Sequence, residues 1–311
     1  MNSPILLIGR TGQIGGDLMR LLPEIGALVA PGRDALDLSN PEQIRRAIVE
    51  ARPRWIVNAA AYTAVDQAES DVASARAINA VAPGVIAEEA KKVGAWLVHY
   101  STDYVFDGAK ESPYGESDAT NPLNVYGQTK LEGENAIRQS GALHFILRTS
   151  WIYATSGRNF LLTLLRLATQ QEELRIMSDQ IGAPTCSREV AAATGQIIRL
   201  ATQDKIGSTL TELSGTYHVT ASGETNWADF ARAILEKTSA LPKNDRWLST
   251  VTNKYPLIAR GVTSISTAEY SASARRPAYS VLSNERLSAA FGISLPDWRT
   301  QLNSALAHRN E

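Results

Sequence analysis

Five short apolar runs alternate with helix-patterned segments along the first half of the chain, and this rhythm restricts the fold more than any other feature. The runs cover residues 5–8, 27–30, 55–58, 96–100 and 145–148, and helical patterns occupy 13–22, 41–51, 71–93 and 122–139. A strand that is apolar on both faces must be covered on both sides. The pattern therefore predicts an α/β fold with a doubly wound parallel sheet. Beyond residue 154 the rhythm loosens, with helices predicted at 159–170, 188–201, 227–237 and 284–290 and few periodic signals over 238–267.

The first run leads straight into Gly9-Arg10-Thr11-Gly12-Gln13-Ile14-Gly15, which opens the first helix. Glycines at a helix N-terminus let backbone N–H groups approach a pyrophosphate, whose charge the helix dipole also favours. A Rossmann-type dinucleotide site is expected here; the competing reading is a tight structural turn. The second run ends in Pro31-Gly32-Arg33, with no carboxylate to clasp a ribose 2′-hydroxyl. Arg33 is suited to a 2′-phosphate, which favours NADPH with NADH as the alternative, unless it is simply a solvated surface arginine. The third run ends in Asn58-Ala59-Ala60-Ala61-Tyr62-Thr63, where small residues would let a cofactor lie against the backbone.

The fourth run ends in Ser101, Thr102 and Asp103, which puts hydroxyls in the crevice beyond a strand's carboxyl end. Asn121-Pro122 is read as the start of the next helix, which carries Tyr126 and Lys130. Side chains four apart share one helix face, so the ammonium is expected to favour the ionised phenol and tune it toward neutral pH as a proton donor. The same spacing also arises by chance in many helices. It gains meaning only beside Thr102 and the glycine loop.

Composition removes other classes. With 31 Lys and Arg against 32 Asp and Glu in 311 residues, there is no broad electrostatic footprint for a nucleic acid polymer or an anionic membrane. The N-terminal apolar run lacks a basic leader and is cut short by Gly9, so it reads as a core strand in a soluble cytoplasmic chain. Cys186 is the lone cysteine and is expected to be a small buried residue. His99, His144, His218 and His308 show no ligand spacing and are read as structural or exposed.

Longer words narrow the match. The segment from Asn58 to Glu69, the words His99-Tyr-Ser-Thr-Asp-Tyr-Val-Phe-Asp-Gly108, Pro122-Leu-Asn-Val-Tyr-Gly-Gln-Thr-Lys130, Arg148-Thr-Ser-Trp-Ile-Tyr153 and Asp179-Gln-Ile-Gly-Ala-Pro-Thr185, and the late Arg275-Arg-Pro segment follow one another in order. Together they resemble the dTDP-4-dehydrorhamnose reductase family of the extended short-chain dehydrogenase/reductases. The resemblance implies a dinucleotide-binding domain over 1–153, joined by some later segments, and a smaller, partly discontinuous and mainly substrate-binding domain over 154–311. It implies reduction of the C4 ketone of dTDP-4-dehydro-β-L-rhamnose, with Tyr126, Lys130 and Thr102 catalytic.

By the same transfer Gly9 to Gly15, Arg33, Asp37, Leu38, Ala60, Ala61, Tyr62, Tyr100, Tyr126 and Lys130 hold the cofactor, while Thr102, Asp103, Tyr126, Trp151 and Arg275 touch the sugar nucleotide. Trp151 has a competing role as interdomain core, and Arg275 as a solvated arginine beside Pro277. Dehydratases of this superfamily carry an Asp-Glu pair after the threonine, whereas Thr102 is followed by Asp103-Tyr104. That substitution argues for simple reduction. Another extended reductase or an epimerase acting on a nucleotide sugar, and a noncatalytic NADP-binding regulatory subunit, remain the competing readings. Some family members bind magnesium near a dimer contact. Asp17 is one candidate carboxylate, but Arg188 beside Glu189 and Trp298-Arg299 break the pattern, so no metal ligand is assigned and both monomer and homodimer stay open.

Overall fold

The computed structural model describes residues 4–202, 210–242, 244–270 and 272–309. Six strands form one parallel sheet: β1 (Ile5–Ile8), β2 (Leu28–Val29), β3 (Trp55–Asn58), β4 (Trp96–Thr102), β5 (His144–Thr149) and β6 (Gly215–His218). Their spatial order is β6-β5-β4-β3-β1-β2. The chain leaves β1 toward β2 and then crosses back to β3, so the order reverses at β1 and a crevice opens above the carboxyl ends of β1 and β3.

Alternate residues of β1 serve opposite faces. Ile5 and Leu7 join a layer with Leu18 of helix α1 (Gln13–Leu21). Leu6 and Ile8 meet Ile44 and Ile48 of α2 (Pro41–Ala51), Ile86 and Ala90 of α3 (Ala82–Val93), and Ile137 of α4 (Val125–Ser140). Helix α5 (Ser187–Thr202) returns from the second half of the chain to the first layer, with Val190 and Ile197 against Leu18. Each such side chain contributes about 1.5–3 kcal/mol on burial. Losing either layer would exceed the ~5–15 kcal/mol that separates folded from unfolded domains.

The differences from the expected elements have physical causes. β4 runs two residues further than its apolar core, because Ser101 and Thr102 stay in register with Arg148 and Thr149 of β5. The helix expected over 71–93 is interrupted by a π-helical turn, Ala77–Val81, between Val72–Arg76 and α3. Pro83 has no N–H to give the carbonyl of Asn79, and the wider turn absorbs that loss. A strand at 215–218 carries no apolar run to announce it. It pairs on one side only, with β5, so its sequence need not read as a core strand.

Three further helices, Phe160–Leu167, Trp227–Ser239 and Trp298–Ala307, enclose a separate cluster that includes Tyr153, Leu161, Phe230, Ile234 and Leu302, while helix Glu285–Phe291 packs on the first layer through Leu287 and Phe291. Strands Glu173–Met177 and Gly261–Ile265 pair in parallel beside it, the second arising from the stretch that showed few signals. Cys186 is buried in this cluster, and burial pushes its thiol up to about 11.

Candidate active site

The glycine loop is shaped by close backbone approach. Gly9 has φ +93°, and a Cβ there would lie 2.6 Å from the Ala60 nitrogen at the end of β3. A Cβ on Gly15 would lie 2.0 Å from the Gly9 carbonyl oxygen. At Gly12 the same atom would come no closer than 3.4 Å to anything. Gly9 and Gly15 are thus required by packing, while Gly12 leaves the face of the loop low. Gly12 also starts α1 without a side-chain cap, whereas Asn40 and Asn124 cap α2 and α4. Uncapped N–H groups above a smooth glycine surface fit a pyrophosphate. Gln13 adds a buried Oε1 with no partner beside this loop.

Beyond β4, Thr102 and Asp103 are buried, and α4 brings Tyr126 and Lys130 over them. Asn124 starts α4 by accepting the Gly127 N–H at 2.8 Å. Gly127 then packs so closely that a Cβ would sit 2.2 Å from the Tyr104 carbonyl oxygen. This contact sets the Tyr126 phenol beside the Thr102 hydroxyl. Tyr104 meets Tyr126 edge to face, with ring centroids 5.8 Å apart.

Burial pushes the Tyr126 phenol up to about 12; Thr102 opposes this shift and Asp103 adds to it. The phenol is therefore held in its protonated form, and the expected tuning toward neutral pH by Lys130 does not occur. The reason is reach: Lys130 Nζ donates to the Tyr100 carbonyl at 2.6 Å and lies 3.3 Å from His99 Nε2. Burial lowers Lys130 to about 8, with Glu134 working against that fall. Burial likewise raises Asp103 to about 6, opposed by hydroxyls of Ser280, Ser150 and Thr102.

The other expected residues have defined surroundings. Tyr100 turns its ring into the layer beneath the sheet and bonds Thr194 at 2.6 Å, so it offers the crevice a carbonyl and not a phenol. Arg275 is exposed, and its carbonyl accepts from Asn124 at 2.7 Å. The neighbouring Arg276 is the one drawn into the structure, paired with Asp66 at 2.6 Å and lying near Tyr104. Trp151 has φ +47° and stacks on Trp227 at 3.7 Å between centroids, a strained backbone held by aromatic packing. Arg33 is exposed past β2; nearby, Asp37 accepts from Ser39 and Leu38 is partly buried. Ala60 and Ala61 line the end of β3, and Tyr62 is clamped by Asn79, which accepts its N–H at 2.8 Å and donates to its carbonyl at 3.0 Å.

Asn79, Asn124, Asp66, Arg276 and Ser280 were not singled out from the sequence, since each acts through partners far along the chain. Only the π-forming Pro83 and the doubled arginine carried a local signal. Asp17 accepts from Arg20 at 2.7 Å and from Ser187 at 2.5 Å. No cluster of three or more His, Cys, Asp or Glu that could hold a metal occurs among the described residues. No helix among the described residues is long and apolar enough to cross a membrane.

A family model described as the RmlD substrate binding domain matches residues 1–310. The chain is 47% identical over 295 residues to a dTDP-4-dehydrorhamnose reductase of Burkholderia thailandensis, covering 95% of each chain. It is 42% identical over 306 residues to the enzyme of that name from Escherichia coli, covering 97% of this chain and 96% of the other. Among solved structures, a dTDP-4-dehydrorhamnose reductase from Bacillus anthracis in complex with NADP superposes with a TM-score of 0.86 at 32% identity, covering 99% of both chains.

Proposed function

The chain belongs to the dTDP-4-dehydrorhamnose reductase family, and we propose that it reduces the C4 ketone of dTDP-4-dehydro-β-L-rhamnose to dTDP-β-L-rhamnose in the cytoplasm, using NADPH. The observation that carries this reading is the meeting of the Thr102 hydroxyl and the Tyr126 phenol at the carboxyl end of β4. The reduced nicotinamide, when bound, supplies the hydride.

Tyr126 gives its phenolic proton to the C4 oxygen as that oxygen becomes an alkoxide, a far stronger base than a phenolate. A phenol kept protonated by burial suits this role of general acid. Thr102 now donates to Asp103 at 3.0 Å; turned toward the substrate it offers the same oxygen a second donor. Lys130 lies one turn beyond Tyr126, where its charge can hold a nicotinamide ribose. Gly9 to Gly15 receive the pyrophosphate, Arg33 the 2′-phosphate, Asp37 and Leu38 the adenine, and Ala60 to Tyr62 the nicotinamide side. Asp103, Trp151 and the exposed Arg275 face the sugar nucleotide in this reading. The cofactor part comprises residues 1–153 with α5 and β6, and the sugar part is built mainly from the later cluster.

Tyr104 stands where a dehydratase would carry its second carboxylate, and burial pushes its phenol up, so it offers no base to draw a proton from the sugar ring. Mixing the protein with NADPH and dTDP-4-dehydro-β-L-rhamnose should consume the reduced cofactor, read by its absorbance, and yield dTDP-β-L-rhamnose. No consumption by folded protein would overturn the proposal.

A further inference from the structure

Beneath the site runs a chain of hydrogen bonds whose directions are forced. The Ala60 backbone N–H can only donate, and it lies 3.2 Å from the Asn58 side-chain oxygen. This fixes the amide, so that Asn58 Nδ2 faces His99 Nδ1 at 3.1 Å. An amide NH2 also only donates, so Nδ1 accepts. A neutral imidazole then carries its proton on Nε2. Double protonation is opposed by burial, with His99 0% exposed, and by the Lys130 charge.

The Nε2–H that results points at Lys130 Nζ, 3.3 Å away. An ammonium has three donors and no acceptor; an amine has a lone pair to receive this proton. The opposite partner, the Tyr100 carbonyl, takes an N–H from either form. We infer that His99 is a positioning residue for Lys130: oriented by Asn58, it confronts the lysine nitrogen with a donor and biases it toward the uncharged amine.

The other charged groups near Lys130 have defined effects. Glu134, one turn further along α4, favours the ammonium, but Arg148 of β5 grips its two oxygens at 2.9 and 2.8 Å and Arg138 also contacts it. His144 of β5 acts on His99 in the same direction as Lys130. Asp103 and Tyr126 couple to each other. From β3 the contribution is the neutral Asn58. Burial lowers the lysine to about 8, the His99 donor acts in the same direction, and His99 becomes a means of setting how much ammonium is available to the bound cofactor and to Tyr126.

This inference rests on the reductase reading for its kinetic test and on cofactor affinity for an independent one. The pH profiles of kcat/KM and of NADPH Kd would be measured for the wild type, His99→Phe, Asn58→Asp and Lys130→Met. His99→Phe removes the donor. In Asn58→Asp a carboxylate accepts from Ala60 and from His99 Nδ1–H, which leaves Nε2 free to accept from the ammonium. Both variants should move the alkaline limb up by about one pH unit, a tenfold change in ionisation. Lys130→Met should lack the limb, and His99→Phe in that background should move nothing. An alkaline limb at the wild-type pH in both variants, with native circular dichroism, overturns the inference. If His99→Phe fails to fold, the near-isosteric Asn58→Asp decides it. A wild type that binds NADPH but never oxidises it with this substrate overturns the reductase reading, and the affinity profile still decides the role of His99.

Discussion

Tyr126 and Lys130 share a face of α4 but serve different partners, Thr102 for the phenol and the Tyr100 carbonyl for the ammonium. Removing the phenolic hydroxyl should therefore abolish proton delivery without disturbing the lysine. Tyr126→Phe is expected to lower kcat by about two to four orders of magnitude, the usual loss for a general acid, while NADPH Kd measured by fluorescence stays unchanged. Unaltered turnover would remove Tyr126 from the chemistry. The pair was legible in sequence because spacing alone fixes the helix face. Its electrostatics were not, because the lysine's partners come from β4, which lies 30 or 31 residues away in the chain. The two adjacent arginines posed the same difficulty: the sequence cannot tell which of Arg275 and Arg276 turns inward, and the choice is made by Asp66, 210 residues away.

At the scale of elements, the start of α4 ties catalysis to the C-terminal segment through one side chain. Asn124 accepts from Gly127 and donates to the Arg275 carbonyl, so its two functions can be separated. Asn124→Ala should lose both, destabilising the protein by roughly 1 kcal/mol as other cap deletions do. Asn124→Asp keeps an acceptor for the cap but loses the donor. It should preserve Tm and raise KM for the sugar nucleotide, with cofactor affinity unaffected. Equal losses of stability in the two variants would show that the Arg275 contact, and not the cap, carries the energy. The sequence placed this helix start at Asn121-Pro122, three residues early; Pro122 stands before the helix, and Asn124 is the residue whose oxygen reaches the Gly127 N–H of the first turn. The helix before it shows the opposite case, since Pro83 was visible but its consequence was not. The π-helical turn brings the Asn79 carbonyl against α4, so closely that a Cβ on Gly133 would lie 2.1 Å from its oxygen.

On the whole-molecule scale, the parallel sheet and its two helix layers follow from apolar periodicity and were readable in advance, whereas the edge strand at 215–218 and the way the late chain returns to the crevice were not, the latter because it depends on paired polar groups. Asp66 holds that return: it accepts from the Ala274 N–H at 3.0 Å and pairs with Arg276 at 2.6 Å. The Arg276 hydrogen bond carries the Asp66 carboxyl below its ordinary value against the opposing effect of burial. For a carboxylate whose pKa falls on folding, the linked stability is complete above the unfolded value of about 3.9 and is lost as pH drops through the lower folded one. Docking of residues 272–282 should thus be constant at neutral pH and weaken only in strong acid. Hydrogen exchange across this segment measures it, with the wild type protected at pH 7 and progressively opened below about pH 4. Arg276→Gln should open the segment at neutral pH and raise KM for the sugar nucleotide while leaving NADPH Kd alone. If exchange in that variant matches the wild type at pH 7, the ion pair is not what holds the segment, and the Asn124–Arg275 and Ala274–Asp66 hydrogen bonds must suffice.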